Sequence, residues 1–317
     1  MYFLLYTHNQ LVEGKEKAAI YDLENSTITN IPNVIVPIIE EMRSKTVDEI
    51  KQKHAPDNPE IIDKYVHYFL EKELGFYTTE PSRFPKLDTN FQYPGTIQNA
   101  IIESNLNTYD EIKVLNDLDE LGCRYVEMRL VIETEAAVLK LHKILTACAT
   151  SIFIYVDILI QYNSICTEEF VTDLQKRYPK IGKILVYNAP KNEEISDSIS
   201  FVEDSFQALE IAQKQTSKYI VNIAFFCESL QFNTTYNKKV SINLKGQIKN
   251  ILKDTHDYGN VNTTNLIDVC TSAEFQKWWQ ITPDKIEQLK DNPLRYALFN
   301  PFPLKEIAPN KFQILDV

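Results

Sequence analysis

Glycine is scarce in this chain: 7 residues in 317, against an average usage of about 7%. Loops that cradle phosphate need glycine so that backbone amides can approach the anion closely. Neither GxGxxG nor GxxxxGK followed by Ser or Thr can be written anywhere in the sequence. A nucleotide-binding enzyme is therefore not expected. Grouped cysteine is missing too. Cys123, Cys148, Cys166, Cys227 and Cys270 are scattered, whereas structural zinc and iron–sulfur sites take thiolates at short spacing. Cys148 and Cys227 stand in apolar company and read as small hydrophobes. No metal and no cofactor are expected. Positive charge is also in deficit: 33 Lys and Arg face 44 Asp and Glu, a net charge of -11. Phosphate backbones need clustered cations, so nucleic acid is an unfavoured partner. No apolar run reaches the roughly 18 residues of a membrane span. The apolar start "MYFLLYTHNQ" has no basic region before it and no small-residue cleavage site after it. It reads as a strand and not a signal peptide, which points to the cytoplasm.

What is present is ordinary globular material, 44% hydrophobic and 24% charged, arranged in three segments. Residues 1–84 read as three strands, "YFLLYTH", "AAIYDLE" and "STITNIP", followed by three helices. "NVIVPIIEEMRS" carries Pro37, which should shorten or kink it. "TVDEIKQKH" opens on a Thr46–Glu49 capping box. "NPEIIDKYVHYFLEKELGF" should be capped by Asn58, started by Pro59 and ended by Gly75. Together these form a winged-helix-like unit. Residues 85–232 alternate strand and helix, which implies a parallel sheet in an α/β fold, either open or part of a βα barrel. The last elements expected there are a helix around "FVEDSFQALEIAQ" and a strand "YIVNIAFFCES". Residues 233–317 read as a hairpin, "VSINLKGQIKN", two helical patches, "TTNLIDVC" and "AEFQKWWQI", and an irregular Pro-rich tail.

Candidate catalytic groups are few. His67, His142 and His256 read as surface or core residues rather than catalysts, since a catalytic His needs a positioned partner. Glu127 in "RYVEMRL" and Asp157 in "IYVDILI" fall inside expected parallel strands, where side chains are mostly apolar. Two readings stand for them: pocket carboxyls with perturbed pKa, or ion pairs with Arg129 or Lys183.

The third segment carries a family pattern. Gly246, Ile248, Lys249 and Asn250, then Tyr258-Gly259-Asn260, Phe275, Trp278-Trp279, Lys290-Asp291 and Arg295-Tyr296 stand in order. This series resembles the SPASM domain of peptide maturases from grasp-with-spasm systems, which modify ribosomally made peptides. In that family cysteines follow the hairpin and punctuate the last motif. Here those positions hold Ile251, Leu289, Asn292 and Leu298. "YDLENSTITNIPNVIVPII", "ELGFYTTEPSRFP", "IQNAIIE" and "LDELGCRYVEMRL" resemble the family's earlier regions. Related radical-SAM enzymes carry CxxxCxxC after the first barrel strand, where this chain has Ser104–Thr108.

The resemblance implies a fold and a role. The fold is a winged-helix-like peptide-recognition unit, a degenerate partial βα barrel, and a SPASM-like extension without cluster ligands. The role is a non-catalytic protein that holds a precursor leader peptide and presents it to an ATP-grasp ligase, with a homodimer left open. The leader would add a strand along Ser26, Thr27, Ile28, Thr29 and Asn30 and rest against Ile61, Tyr65 and Tyr68. The alternative for each aromatic residue is plain core packing. The alternatives for the whole are an enzyme of unrecognised chemistry on the same scaffold, or a structural subunit of a hetero-complex.

Overall fold

Short apolar stretches at the start of the chain fold into two small antiparallel sheets rather than one. The structure, a computed structural model, describes residues 1–209 and 219–315. Strand β1 (Tyr2–Leu5) pairs with β5 (Gly75–Thr78), far along the chain. The three-stranded sheet is β2 (Asn9–Glu13), β3 (Lys17–Asp22) and β4 (Thr27–Pro32). "YFLL" is thus not its first strand. That place is taken by "NQLVE", part of which reads as a turn because Val12 and Glu13 run straight into Gly14.

Three helices follow: α1 (Val36–Met42), α2 (Val47–His54) and α3 (Glu60–Glu71). Pro37 lies in the first turn of α1, where a missing N–H costs nothing, so it starts the helix rather than kinking it. The Thr46–Glu49 capping box opens α2. Asn58 does not cap α3: Pro59 occupies the cap position, with no side-chain cap bond. Gly75 begins β5 and does not end the helix, and Glu73 supplies the left-handed residue instead. A Cβ at Gly75 would stand 2.4 Å from the Leu4 carbonyl oxygen. Ile20 and Ile31 from the sheet, Ile39 from α1, Ile50 from α2 and Phe69 from α3 share one core with Phe3 of β1. The sheet's other face, with Val12, Ala19 and Tyr21, packs on Phe226, Tyr296 and Ala297.

The rest is built on an eight-stranded, mostly parallel sheet. Its parallel strands are β6 (Asn99–Ser104), β7 (Tyr125–Leu130), β8 (Tyr155–Gln161), β9 (Ile181–Tyr187), β11 (Ile199–Phe201) and β12 (Lys239–Ile242). Antiparallel β10 (Glu193–Ser196) and β13 (Ile248–Lys249) close its two edges. Strands β12 and β13 come from the third sequence segment and complete the sheet of the second. Helices α4 (Glu111–Glu120), α5 (Glu135–Cys148) and α6 (Glu168–Arg177) are capped by Asp110, Thr134 and Thr167 and contribute to the core under the sheet.

Residues Tyr219–Ser229 are not a strand. Most of them form α7 (Ile223–Gln231), because the Asn222 side chain accepts the Phe225 N–H at 2.9 Å and caps it. A short apolar run does not distinguish strand from helix by period. Of the helix expected around Phe201–Gln213, Phe206–Leu209 is helical and the end lies outside the described residues. The hairpin turn carries Gly246 at φ +78°. Two short helices follow, α8 (Leu266–Thr271) and α9 (Ala273–Gln276). The tail is not irregular: β14 (Leu304–Ala308) and β15 (Lys311–Ile314) form a hairpin turned by Asn310 at φ +57°. Among the described residues no helix is long and apolar enough to cross a membrane.

Candidate functional site

Parallel sheets are normally buried on both faces. Here β6, β7 and β8 alternate strictly between buried and partly open residues, so one face is only partly covered. On that face the register sets Ile101, Glu127 and Asp157 side by side, with Glu103, Arg129 and Leu159 in the next row. Ser241 extends the first row from β12. A cavity of about 370 Å³ lies over these rows, bounded also by Tyr155, Asn250 and Phe299.

The structure brings Glu127 and Asp157 together, one strand spacing apart. Arg129 Nε donates to Glu127 Oε1 at 2.6 Å. Arg129 also lies 3.8 Å from Glu103 Oε1 and stacks 4.7 Å over the Phe206 ring. Asp157 Oδ1 accepts the Lys183 backbone N–H at 2.8 Å. Burial pushes the Asp157 carboxyl above its ordinary pKa; the Lys183 N–H pulls it back and the Glu127 charge adds to the rise. Each carboxyl therefore has a partner, and the site still holds an ion-paired carboxylate beside one biased toward its protonated form. Such a pair can hold a donor group or exchange a proton.

Sequence reading missed three contributors. Gly182 lets the Asp157 carboxyl come close, since a Cβ there would lie 2.5 Å from Oδ1. An isolated glycine within a strand was the available signal. Lys239 is lowered from its ordinary pKa by burial, with Glu228 opposing; its ammonium donates to the Thr234 carbonyl and sits 5.5 Å from the Phe299 ring. Asn250 is buried, and its side-chain amide has no hydrogen-bond partner among the described residues. Nothing in the sequence ties either of these to β7 or β8.

The second candidate surface is the edge of the three-stranded sheet. Leu23 N–H donates to His8 C=O, and Gly14 N–H to Lys17 C=O. These bonds fix the phase of the β2–β3 ladder, so Ala18, Ile20 and Asp22 turn their backbone groups toward β4. Their partners are Ile31, Thr29 and Thr27. The backbone groups of Ile28 and Asn30 therefore point outward from an end strand. Ser26 is in the left-handed region at φ 57° and turns the chain into β4. Ile61 and Tyr68 are exposed on α3, and Tyr65 is half-buried against the helical core. Phe69 ties α3 to β1 by stacking on Phe3 at 6.0 Å. No hydrogen bond or ring contact joins Ser26–Asn30 to Ile61, Tyr65 or Tyr68 among the described residues.

The donor set does not suit an iron–sulfur cluster. The loop after β6 offers Ser104, Asn105 and Thr108, with the Asn105 side chain accepting the Asn107 and Thr108 N–H groups. All five cysteines are buried, free thiols. Among the described residues no group of three or more His, Cys, Asp or Glu could hold a metal ion.

Fold and site define an α/β protein with an open, mostly parallel sheet, a mainly apolar cavity with a few charged groups on its less covered face, and a small antiparallel sheet with an outer strand. No family model matches the chain, and no curated protein matches it. Among solved structures, Streptococcus suis SuiB bound to S-adenosylmethionine is similar at 9% identity, over 93% of this chain and 94% of that one, with a TM-score of 0.33. A further structure of Streptococcus suis SuiB gives 9% identity over the same shares, with a TM-score of 0.31. Superposition this loose carries no argument about chemistry.

Proposed function

We propose that this chain is a non-catalytic peptide-binding component of a system that matures ribosomally synthesised peptides. In this reading it holds a precursor leader and presents it to an ATP-grasp ligase. The observation that carries the reading is the outer strand β4, whose Ile28 and Asn30 backbone groups face outward in a polar, β-branched sequence. Such an edge stays soluble until it is paired, and strand addition supplies affinity through main-chain hydrogen bonds. The resemblance of residues 246–296 to a SPASM frame without its cysteines supplies the pathway and the ligase partner. With a net charge of -11, the leader should be basic and its binding should weaken with salt.

The test looks for a precursor peptide encoded beside this chain's gene and measures binding of its labelled form by fluorescence anisotropy. Ile28→Pro removes an outward N–H and should weaken binding by about tenfold or more. Tyr65→Ala and Tyr68→Ala should weaken it less. If all three variants bind like the parent, the β4 assignment is wrong. A second reading, an enzyme of unrecognised chemistry, rests on Asp157 beside Glu127. Turnover of that precursor that is lost in Asp157→Asn would favour it.

A further inference from the structure

Strands β1 and β2 are consecutive and joined only by Tyr6–His8, yet they belong to different sheets. Each leaves one edge without a ladder. Tyr6 N–H donates to Leu74 C=O, which fixes the phase of β1 on β5. Leu4 and Tyr2 then face β5, and the backbone groups of Phe3 and Leu5 face away. On β2 the phase given above turns Asn9, Leu11 and Glu13 away from β3. A cavity of about 760 Å³ is lined by both of these edges. Its lining also includes Ile39 of α1, Arg43 just after that helix, Phe226 and Tyr296.

The polar groups of this slot are unevenly committed. Asn9 is only 5% exposed; its Nδ2 donates to Leu74 C=O at 2.8 Å, and its Oδ1 has no hydrogen-bond partner among the described residues. A buried acceptor left open costs free energy until a donor arrives. Two of the three lining cations are committed: Arg43 donates to the Phe84 carbonyl, and Arg295 is held by Asp284 and the Glu13 carbonyl, while Lys86 lies exposed on the lining. The Glu13 and Glu40 carboxylates have no ion pair among the described residues and lie exposed on the lining.

We propose that the slot between β1 and β2 receives an extended peptide carrying Lys or Arg. It inserts as a strand that joins the two sheets into one. Running between antiparallel neighbours, it is parallel to one and antiparallel to the other. Its backbone meets the rungs of Leu5 and Leu11, a donor meets Asn9 Oδ1, and its cations meet Glu13 and Glu40. This site is separate from the β4 edge and does not rest on it.

The probe is a fluorescein-labelled decapeptide of alternating Lys and Val, read by anisotropy on the full chain. Two controls accompany it: a Glu/Val counterpart, and a Lys/Val form N-methylated at alternate residues. The Lys/Val peptide should bind, and both controls should bind at least about tenfold more weakly. Leu11→Pro, which removes an outward N–H, should weaken binding to a similar degree. Glu13→Lys with Glu40→Lys, at exposed positions, should reverse the charge preference. Three outcomes overturn the proposal. Indifference to N-methylation means charge adhesion only. Loss in Ile28→Pro but not in Leu11→Pro puts the peptide on β4. A concentration-dependent dimer broken by Leu11→Pro makes a second copy of this chain the occupant.

Discussion

Two regions of the molecule, the loop after β6 and the C-terminal segment, are filled in opposite ways. The loop after β6 is filled with polar groups. Ser104 Oγ donates to Glu111 Oε1 at 2.5 Å and accepts the Leu106 N–H at 2.8 Å. Lys140 Nζ lies 2.7 Å from Glu111 Oε2 and donates to the Leu106 carbonyl at 2.8 Å. The C-terminal segment is filled mainly with apolar groups. Ile286, Leu289 and Phe312 are buried in the main core, with Ile251 and Leu298 packed at its margin. Ile286 bridges Phe312 across the tail hairpin, and Trp278 packs edge-on to Phe312 at 6.1 Å. One loop is held by a hydrogen-bonded, buried carboxylate and the other segment by a small core, two different ways of fixing irregular backbone.

The two fillings should fail differently. The largest effect is expected in the polar one. Glu111→Ala strips a fully buried carboxylate from Lys140, Ser104 and the loop. Breaking a buried pair by removing one partner costs several kcal/mol; with the Lys140 side chain 34% exposed, about 3 kcal/mol is expected. Denaturant unfolding measures it. A loss below about 1 kcal/mol would mean the loop behaves as surface and the contrast fails.

Leu289→Ala comes next. It removes a side chain that is 9% exposed, at a cost of about 2–3 kcal/mol. EDTA should leave the melting temperature unchanged, the outcome expected of a segment held by packing. A melting temperature that falls with EDTA and holds in Leu289→Ala would reverse the interpretation.

The α/β alternation was legible because α4, α5 and α6 each have a side-chain cap and the strands between them are rich in apolar residues. The carboxylates were legible for the same reason: Glu127 and Asp157 break that apolar pattern. What sequence could not give was pairing. Nothing local says that "YFLL" pairs with "GFYT", more than 70 residues on, or that Lys239 from the third segment lies beside Asn99. The helix at Ile223–Gln231 was misread because "YIVNIAFF" has no period to separate strand from helix, and its cap, Asn222, sits inside the run. The tail hairpin hid behind Pro309, which reads as a breaker but here only precedes the left-handed Asn310.

The last expectation sharpens the contrast from inside the apolar region, and its effect is the smallest. Asp254 is a polar group set into the C-terminal filling. It accepts the Tyr236 hydroxyl at 2.9 Å and the Ile251 N–H at 3.3 Å. Tyr236 in turn accepts the Leu304 N–H at 3.2 Å and so ties this loop to the tail hairpin. Burial raises the Asp254 carboxyl above its ordinary pKa, against the pull of Tyr236, Ile251, Lys249 and His256. The folded state therefore holds the proton more tightly than the unfolded chain does. Stability linked to this group is complete below the unfolded pKa, about 3.9, and is lost as pH rises through the folded value. Asp254→Asn removes that titration but keeps one acceptor. At low pH the variant should be less stable than the parent by about 1 kcal/mol, the worth of one hydrogen bond. The gap should narrow toward neutral pH. Paired denaturant curves from about pH 4 to 7.5 decide it: a gap that stays flat or widens would show that Asp254 is held ionised by its partners, and that the C-terminal filling is more polar than its leucines suggest.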